Sequence, residues 1–319
     1  MVNKVLITGG LGYLGGRIAK YFSDKGYAVI LATRKPENKI HKNIPYNAKV
    51  MQLDYNSDEQ LDEAMKGNDT LINLAGPDAH TNFEDSNILI KWHVDLTKRL
   101  FKSAQRNNVK HFIYFSTVHV YGNSLVDTVT EETKTLPIYP FAIAHLEAEK
   151  IVNGLQKDIV TTIIRCSNTF GAPYFENEKC WKLVVNDFCR SAFENGKLMI
   201  NSSGQDYRDF ISVGDVVQAI HYLLELNNEK GIHDIYNLCS SRSTPIIEIA
   251  KKIQKVLKDR FDYDCPIIKN KPSKKMNKPK HFILSTEKIK RLGFTSKLGD
   301  KEILSLLNHC KMKYQMVTQ

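Results

Sequence analysis

The stretch Lys4-Val5-Leu6-Ile7-Thr8-Gly9-Gly10-Leu11-Gly12-Tyr13-Leu14-Gly15 decides the fold of this chain. Its apolar start predicts a buried strand, and its glycines predict a sharp turn into a helix. Gly9 permits the turn, Gly12 leaves room for a phosphate beside the backbone, and Gly15 lets the helix pack close to the strand. The N–H groups at the start of a helix attract phosphate. The stretch therefore predicts a dinucleotide site, and a glycine-rich turn without a ligand is the alternative.

Strand and helix patterns alternate through the first half of the chain. The predicted strands are Lys4–Thr8, Ala28–Thr33, Ala48–Leu53, Thr70–Leu74, His111–Phe115 and Thr161–Arg165. The predicted helices are Tyr13–Asp24, Asp58–Met65, Ser86–Arg106 and Pro140–Leu155. Because the strands are nearly continuous apolar runs, we expect a parallel sheet covered on both faces. The pattern predicts an α/β fold with a Rossmann-like, doubly wound parallel sheet.

The pattern loosens beyond residue 171 and predicts a smaller lobe. Its predicted helices are Glu178–Phe193, Gly214–Leu226, Thr244–Leu257 and Lys301–Cys310, and its predicted strands are Lys197–Ile200 and Asp234–Leu238. We therefore expect a dinucleotide-binding domain over residues 1–170 and a substrate lobe over residues 171–319, with some segments returning to the main sheet. A substrate is expected in the crevice between them, above the carboxyl ends of the strands.

Composition narrows the class of protein. The chain has 319 residues, of which 42% are hydrophobic and 25% charged, which is typical of a soluble globular protein. Its six cysteines are scattered without a C-x-x-C pair, and the apolar runs are too short to span a bilayer. These features predict a cytoplasmic protein with neither a disulfide framework nor a metal site.

The net charge of +10 is concentrated in one segment. Between Lys269 and Arg291, six lysines surround two prolines: Lys269, Lys271, Lys274, Lys275, Lys278 and Lys280, with Pro272 and Pro279. We interpret this segment as a solvated lysine loop, with a cover over an anionic substrate as the alternative. Nucleic-acid binding is not expected, because the segment lacks interleaved aromatic residues and a binding motif.

Six segments together resemble one family. They are Thr8–Gly15, Asn73-Leu74-Ala75-Gly76, Phe115-Ser116-Thr117-Val118-His119-Val120-Tyr121-Gly122, Arg165–Gly171, Arg208–Val216 and Tyr236-Asn237-Leu238. In this order they resemble the extended short-chain dehydrogenase/reductases, in the nucleotide-sugar epimerase, dehydratase and reductase branch. The resemblance implies a bound dinucleotide, a nucleotide diphosphate sugar as partner, and hydride transfer at a sugar carbon. It also implies a homodimer formed through the helices Ser86–Arg106 and Pro140–Leu155.

The resemblance assigns binding roles by position. It implies cofactor binding by the turn residues Gly9, Gly12, Tyr13, Leu14 and Gly15, by Asp54 at the adenine, and by the loop residues Leu74, Ala75 and Gly76 beneath the cofactor. It also implies that Asn168 contacts the substrate phosphates and that Arg208 pairs with the diphosphate, as suits a guanidinium. A turn role for Asn168 and a salt bridge between Arg208 and Asp209 are the alternatives.

The end of the second predicted strand bears on the choice of cofactor. Relatives that prefer NAD place an acid there, whereas this chain has Thr33 followed by Arg34 and Lys35. Because two cations attract a 2′-phosphate, NADP(H) is favoured over NAD(H). The alternative is that Arg34 stacks on the adenine of either cofactor.

The active-site helix departs from the family pattern. The family usually reads Pro-x-Ser-x-Tyr-Gly-x-Ser-Lys-x-x-x-Glu, and Pro137 and Glu149 fix the register. Phe141 then stands in place of the tyrosine that exchanges the proton, and His145 in place of the lysine that holds the nicotinamide ribose. A phenylalanine has no proton to give, and the loss of a general acid or base typically costs about 10²–10⁴ in rate. His145 can still bond the ribose, and its side chain is expected to titrate near neutral pH.

Other side chains remain that could carry the chemistry. Thr117 matches the family's catalytic Ser or Thr. The dehydratase branch continues with Asp and Glu, where this chain has Val118 and His119, so 4,6-dehydration is not expected. His119 is a candidate base beside a ketone, with an ordinary lining role as the alternative, and Tyr139 is a displaced hydroxyl donor or a packing residue. Three functions follow: a nucleotide-sugar epimerase or reductase with a proton relay rebuilt from Thr117, His119, Tyr139 and His145; a protein that binds cofactor and nucleotide sugar without turnover; and, as the weakest, a redox sensor.

Overall fold

The computed structural model describes residues 3–36, 43–77, 85–123, 125, 127–155, 159–176, 178–231, 233–270 and 281–314. Residues 271–280, which carry most of the predicted lysine loop, lie outside the described residues. The prediction of one solvated loop up to Arg291 is wrong beyond them. Phe282–Leu284 forms a strand and Glu287–Arg291 a helix, because Leu284 and Ile289 are buried.

The secondary structure of the described residues alternates as predicted. The strands are β1 (Lys4–Thr8), β2 (Ala28–Thr33), β3 (Ala48–Gln52), β4 (Thr70–Asn73), β5 (His111–Thr117), β6 (Asp127–Val129), β7 (Val160–Cys166), β8 (Asn168–Phe170), β9 (Leu198–Ile200), β10 (Tyr207–Ser212), β11 (Asp234–Leu238), β12 (Ser243–Pro245), β13 (Ile267–Lys269) and β14 (Phe282–Leu284). The helices are α1 (Tyr13–Asp24), α2 (Asp58–Met65), α3 (Ser86–Arg106), α4 (Pro140–Gly154), α5 (Val184–Asn195), α6 (Val213–Lys230), α7 (Ile246–Phe261), α8 (Glu287–Arg291) and α9 (Gly299–Tyr314). No helix in the described ranges is both long and apolar enough to cross a membrane.

Seven parallel strands form the central sheet, in the order β11-β7-β5-β4-β1-β2-β3. The order reverses at β1, so the carboxyl ends of β1 and β4 open the crevice where α/β sheets bind ligands. The predicted doubly wound α/β fold is confirmed. The helices α1, α2 and α3 have the predicted bounds. Local signals explain their ends, since Ser57 and Asp85 cap α2 and α3 through their side-chain oxygens.

Apolar layers cover both faces of the sheet. One core joins α1 and α6 to β1 and β7, and the other joins α2, α3 and α4 to β4 and β5. A third core lies in the C-terminal part, between α5, α7 and α9. A single predicted helix over Glu178–Phe193 is wrong: a 3-10 turn ends at Lys182, and α5 begins at Val184.

A buried ion pair ties the C-terminal part to the first helix. The Arg17 guanidinium on α1 donates to both carboxylate oxygens of Glu302 on α9, at 2.7 and 3.1 Å, and to the Ala172 carbonyl at 2.7 Å. Glu302 also accepts the backbone N–H of Gly214 at 3.2 Å. Because Glu302 is only 6% exposed whereas Arg17 is 24% exposed, it is the removal of Arg17 that leaves an unpaired buried charge, which costs about 3–5 kcal/mol.

Candidate functional site

The glycine turn forms the floor of the crevice. Gly9 adopts a φ of +67°, a left-handed conformation that glycine adopts without strain. A Cβ atom on Gly15 would lie 2.5 Å from the Gly9 carbonyl oxygen, so the helix start lies directly on the turn. The Gly12 N–H donates to that same carbonyl at 2.8 Å. The predicted turn is therefore present.

The start of α1 fits a phosphate. No side chain caps α1, and no acidic residue lies in its first turn as the structure describes it. The backbone N–H groups of Tyr13 and Leu14 are therefore available to an anion. The Tyr13 side chain takes no part in this, because its hydroxyl donates to the Gly171 carbonyl at 2.9 Å and packs toward the C-terminal core. When bound at such a turn, a nicotinamide nucleotide supplies hydride transfer.

A second loop closes the turn from the side of β4. The Leu74 carbonyl lies 3.2 Å from the position of a Cβ on Gly9. The Ala75 N–H donates to the Thr8 hydroxyl at 3.3 Å and to the Asn73 side-chain oxygen at 3.2 Å. These bonds hold the loop Leu74–Pro77 against the end of β1. Gly76, within this loop, is exposed.

The side chains beyond β2 form the flank of the crevice on the other side of β1 from the loop after β4. Thr33 is buried and its hydroxyl accepts the Lys35 N–H at 3.1 Å, whereas the Arg34 and Lys35 side chains are exposed. The Arg34 guanidinium lies over the Trp92 ring of α3, 5.8 Å from its centre. Asp54 is exposed, and one of its carboxylate oxygens accepts the Asn56 N–H at 2.9 Å. Two cations and one carboxylate thus border the flank.

An aromatic pocket surrounds His119. The His119 ring stands edge-on to Phe141 at 5.4 Å and to Tyr139 at 6.4 Å, and those two rings stack at 6.0 Å. The Tyr139 hydroxyl accepts the Asn123 amide at 2.7 Å. Burial first, and then the positive charge of Arg208, lower the pKa of His119 to about 4. His119 is therefore neutral at pH 7 but a weak base in this state.

Arg208 approaches this pocket from β10. Its side chain is exposed, and within the described residues no carboxylate pairs with it. The Asp209 carboxylate instead accepts bonds from Ser167 and Ser240, so the alternative of a salt bridge between neighbours is not supported. Asn168 lies in β8 rather than in a turn, and its amide donates to the Asp209 carbonyl at 2.9 Å. Asn168 and Arg208 thus lie on adjacent strands.

Thr117 closes the pocket at the end of β5. Its hydroxyl accepts the backbone N–H of His119 at 3.3 Å, which begins the 3-10 turn over Val118–Tyr121. This bond orients the His119 backbone, and the Thr117 hydroxyl retains its own hydrogen for another acceptor.

His145 lies deeper than its predicted role requires. Its Nδ1 lies 2.9 Å from the Tyr114 hydroxyl and its Nε2 lies 3.3 Å from the Pro77 carbonyl oxygen. Burial lowers the pKa of His145 to about 4, so the expected titration near neutral pH is wrong. The predicted ribose contact requires Nε2 to exchange the Pro77 carbonyl for the ribose.

Sequence reasoning missed two members of this site. Tyr114 lies within an apolar strand, and its hydroxyl is also 2.7 Å from Nε2 of His93 on α3. His93 lies on the buried face of α3, where the sequence pattern does not distinguish a histidine from the other core residues. The two could have been linked only through the packing of α3 against β5. Among the described residues, no three His, Cys, Asp or Glu side chains are grouped for a metal.

The chain belongs to the NAD dependent epimerase/dehydratase family, whose model matches residues 5–239. This confirms the resemblance to the nucleotide-sugar branch of the extended short-chain dehydrogenase/reductases. The matched range contains the glycine turn, the aromatic pocket and Arg208.

Curated relatives carry several activities. The chain is 22% identical to dTDP-D-glucose 4,6-dehydratase of Dictyostelium discoideum, over 79% of this chain and 62% of that protein. It is 29% identical to the human dTDP-D-glucose 4,6-dehydratase, over 65% and 57%. It thus spans about three fifths of the length of these dehydratases. It is 25% identical to UDP-N-acetyl-alpha-D-glucosaminuronate decarboxylase of Bacillus cytotoxicus, over 80% and 81%.

Solved structures show the same fold. A UDP-glucose 4-epimerase superposes with a TM-score of 0.84 at 23% identity, over 98% of both chains. The UDP-glucose 4-epimerase of Thermotoga maritima, solved with UDP-glucose, has a TM-score of 0.79 at 23% identity, over 99% of this chain and 100% of that one. A protein named MoeE5, solved with UDP-glucose and NAD, has a TM-score of 0.78 at 18% identity, over 97% and 99%.

Proposed function

We propose that this protein is a nucleotide-sugar epimerase or 4-keto reductase that uses a nicotinamide dinucleotide and a non-standard proton relay. The observation that carries the proposal is that Arg208 is near enough for its positive charge to lower the pKa of the neutral His119, while no carboxylate in the described structure pairs with Arg208. A diphosphate on Arg208 leaves the attached sugar beside the imidazole. Such a site can bind the substrate and accept a proton.

The proton chemistry is assigned to the groups around Phe141. Thr117 hydrogen-bonds the reacting sugar oxygen, and Tyr139 offers the exposed phenol hydroxyl of the pocket. Where the bound sugar carries a ketone, His119 takes the proton from the adjacent carbon, the electron pair passes to the enolate oxygen, and the enolate regains a proton at the same carbon. Phe141 lines the pocket without exchanging a proton. We do not propose the dehydration of the curated dehydratases, because His119 follows a buried Val118 here, where that branch places Asp and Glu.

We propose NADP(H) as the preferred cofactor. Arg34 and Lys35 are exposed at the end of β2, where Thr33 offers no carboxylate to repel a 2′-phosphate. Arg34 rests on Trp92, which orients the guanidinium toward that flank. The family name and the NAD complexes of its members also make NAD(H) a cofactor to test beside it.

Turnover with a panel of nucleotide sugars tests the proposal. Purified protein is incubated with UDP-, GDP-, dTDP- and CDP-sugars and either cofactor, while nicotinamide absorbance and sugar products are followed. We expect one nucleotide sugar to be converted, and His119→Ala to reduce the rate by about 10²-fold. Arg242→Ala, at an exposed arginine bound to Asp209 only through its backbone, is the matched control. Tight cofactor binding without any turnover would contradict the proposal.

One observation favours a second candidate, a protein that binds both ligands without converting them. The Phe141 ring occupies the pocket with no ionisable group, while the turn and Arg208 are intact. In that case His119→Ala has no catalytic effect, and the bound nucleotide sugar is recovered unchanged. A binding role would make the protein a partner or regulator of an active relative.

We further propose a homodimer through α3 and α4, as the resemblance implies. The outward side of α3 is charged, with Lys91, Asp95, Lys98 and Lys102 exposed, which weakens the support for an apolar helix bundle. α4 contributes Lys150 on its own exposed side. Light scattering during size exclusion decides the matter: a mass near 36.5 kDa contradicts the homodimer, and twice that mass supports it.

A further inference from the structure

Tyr114, His93 and His145 form one hydrogen-bonded chain beneath the cofactor loop, in which Tyr114 and His93 are buried and His145 is half-buried. The Tyr114 hydroxyl on β5 lies 2.7 Å from His93 Nε2 on α3 and 2.9 Å from His145 Nδ1 on α4. The two imidazole rings also touch, edge to face, at 4.9 Å. Helices α3 and α4 thus meet over β5 through polar atoms as well as through the apolar core that they share.

The direction of each bond follows from Pro77. A carbonyl oxygen only accepts, so His145 Nε2 carries the hydrogen that points to Pro77. A neutral His145 then has a bare Nδ1, to which the Tyr114 hydroxyl donates. Tyr114 oxygen in turn accepts the Nε2–H of His93. Burial keeps both histidines neutral, since it lowers the pKa of His93 well below its ordinary value and that of His145 to about 4.

Both ends of the chain lie against the same loop. His145 Nε2 meets Pro77, and a Cβ atom on Gly76 would lie 2.6 Å from His93 Cε1 and 3.2 Å from its Nδ1. His93 Nδ1 is buried and has no hydrogen-bond partner among the described residues.

We propose that Tyr114 and His93 are positioning residues for the cofactor site, which hold His145 with its proton on Nε2 so that it donates to a ribose hydroxyl of the nicotinamide nucleotide. This inference rests on the proposed cofactor binding. His145 Nε2–H now donates to the Pro77 carbonyl over a long 3.3 Å. When the nucleotide lies over the loop, this N–H donates to the ribose instead. The Pro77 carbonyl selects this tautomer, and the Tyr114 hydroxyl holds it by donating to the bare Nδ1.

Imidazole ¹⁵N NMR of the wild-type protein without ligand tests the tautomer. We expect His93 and His145 both to be neutral at pH 7, with hydrogen on Nε2 and a bare Nδ1, and we expect the His145 Nε2 signal to move when NADPH is added. Hydrogen on His145 Nδ1, or a cationic His145 at pH 7, would overturn the inference. This measurement needs no variant and no turnover.

Cofactor affinity tests the positioning role. Tyr114→Phe removes the hydroxyl and should weaken NADPH binding about 2- to 10-fold, the equivalent of one hydrogen bond. Tyr27→Phe is the matched control, since the Tyr27 hydroxyl also contacts a histidine, His221 at 3.4 Å, but at the opposite end of the sheet. Wild-type affinity in Tyr114→Phe would overturn the inference alone. Failure of the wild-type protein to bind NADPH and NADH would overturn the cofactor proposal as well, and so separates the two failures.

Discussion

Acid destabilisation gives a direct measure of how His145 is held. Burial lowers the pKa of His145 from its ordinary 6.5 to about 4, against a smaller opposing effect of the bond to Pro77. Between these values the unfolded chain takes up a proton at His145 that the folded protein does not. The contribution of His145 to the free energy of unfolding is therefore complete above about pH 6.5 and is lost as the pH falls toward 4.

The magnitude follows from the shift. At about 1.36 kcal/mol per pKa unit, a full shift of this size corresponds to roughly 3 kcal/mol, and partial exposure of the ring reduces it to about 2–3 kcal/mol. His145→Gln keeps a donor and an acceptor near Tyr114 and Pro77 but does not titrate. Urea unfolding at about pH 7 and about pH 4.5 measures the effect. The free energy of unfolding of the wild-type protein should fall by about 2–3 kcal/mol more than that of the variant. Equal losses in both proteins would refute the reasoning.

Four further predictions, on three variants, concern binding and chemistry. Phe141→Tyr restores a phenol at the pocket and should raise turnover of the accepted nucleotide sugar by about 10²-fold, measured from initial rates; an unchanged rate contradicts the place given to Phe141. Arg208→Ala should weaken nucleotide-sugar binding by roughly 10- to 100-fold in calorimetry, with Arg242→Ala unchanged. The same variant should raise the pKa of His119 above about 4 in an NMR titration, because Arg208 contributes to lowering it. Arg34→Ala should weaken NADPH at least ~10-fold and NADH little; equal losses for both would argue for adenine stacking.

Much of the fold could be predicted because its signals are local. The helices α1, α2 and α3 begin and end at the predicted residues, since glycine, Ser57 and Asp85 mark their starts. The short strands could not be predicted in the same way. β6 and β14 have three residues each and are about 150 residues apart in the chain, so their pairing depends on the whole fold.

Some residues of the candidate site could be predicted from local sequence, and others depend on the whole fold. Gly9, Arg208 and His119 were predicted from segments whose order along the chain is itself informative. The environment of His145 was not, because its burial depends on α3 and its bond partner Tyr114 on the register of β5. A pKa is a property of such surroundings, and the sequence gives only the residue type.

A structure with both a nicotinamide nucleotide and a nucleotide diphosphate sugar bound is the most direct test of the proposed site. It should show the diphosphate on Arg208, the reacting sugar carbon between the nicotinamide and the pocket, and the Phe141 ring beside them. The Thr117 hydroxyl and the His119 imidazole should be the proton-exchanging groups nearest that carbon. A tyrosine hydroxyl in the place given to Phe141, or a glycine turn too closed to admit the adenine nucleotide, would contradict it.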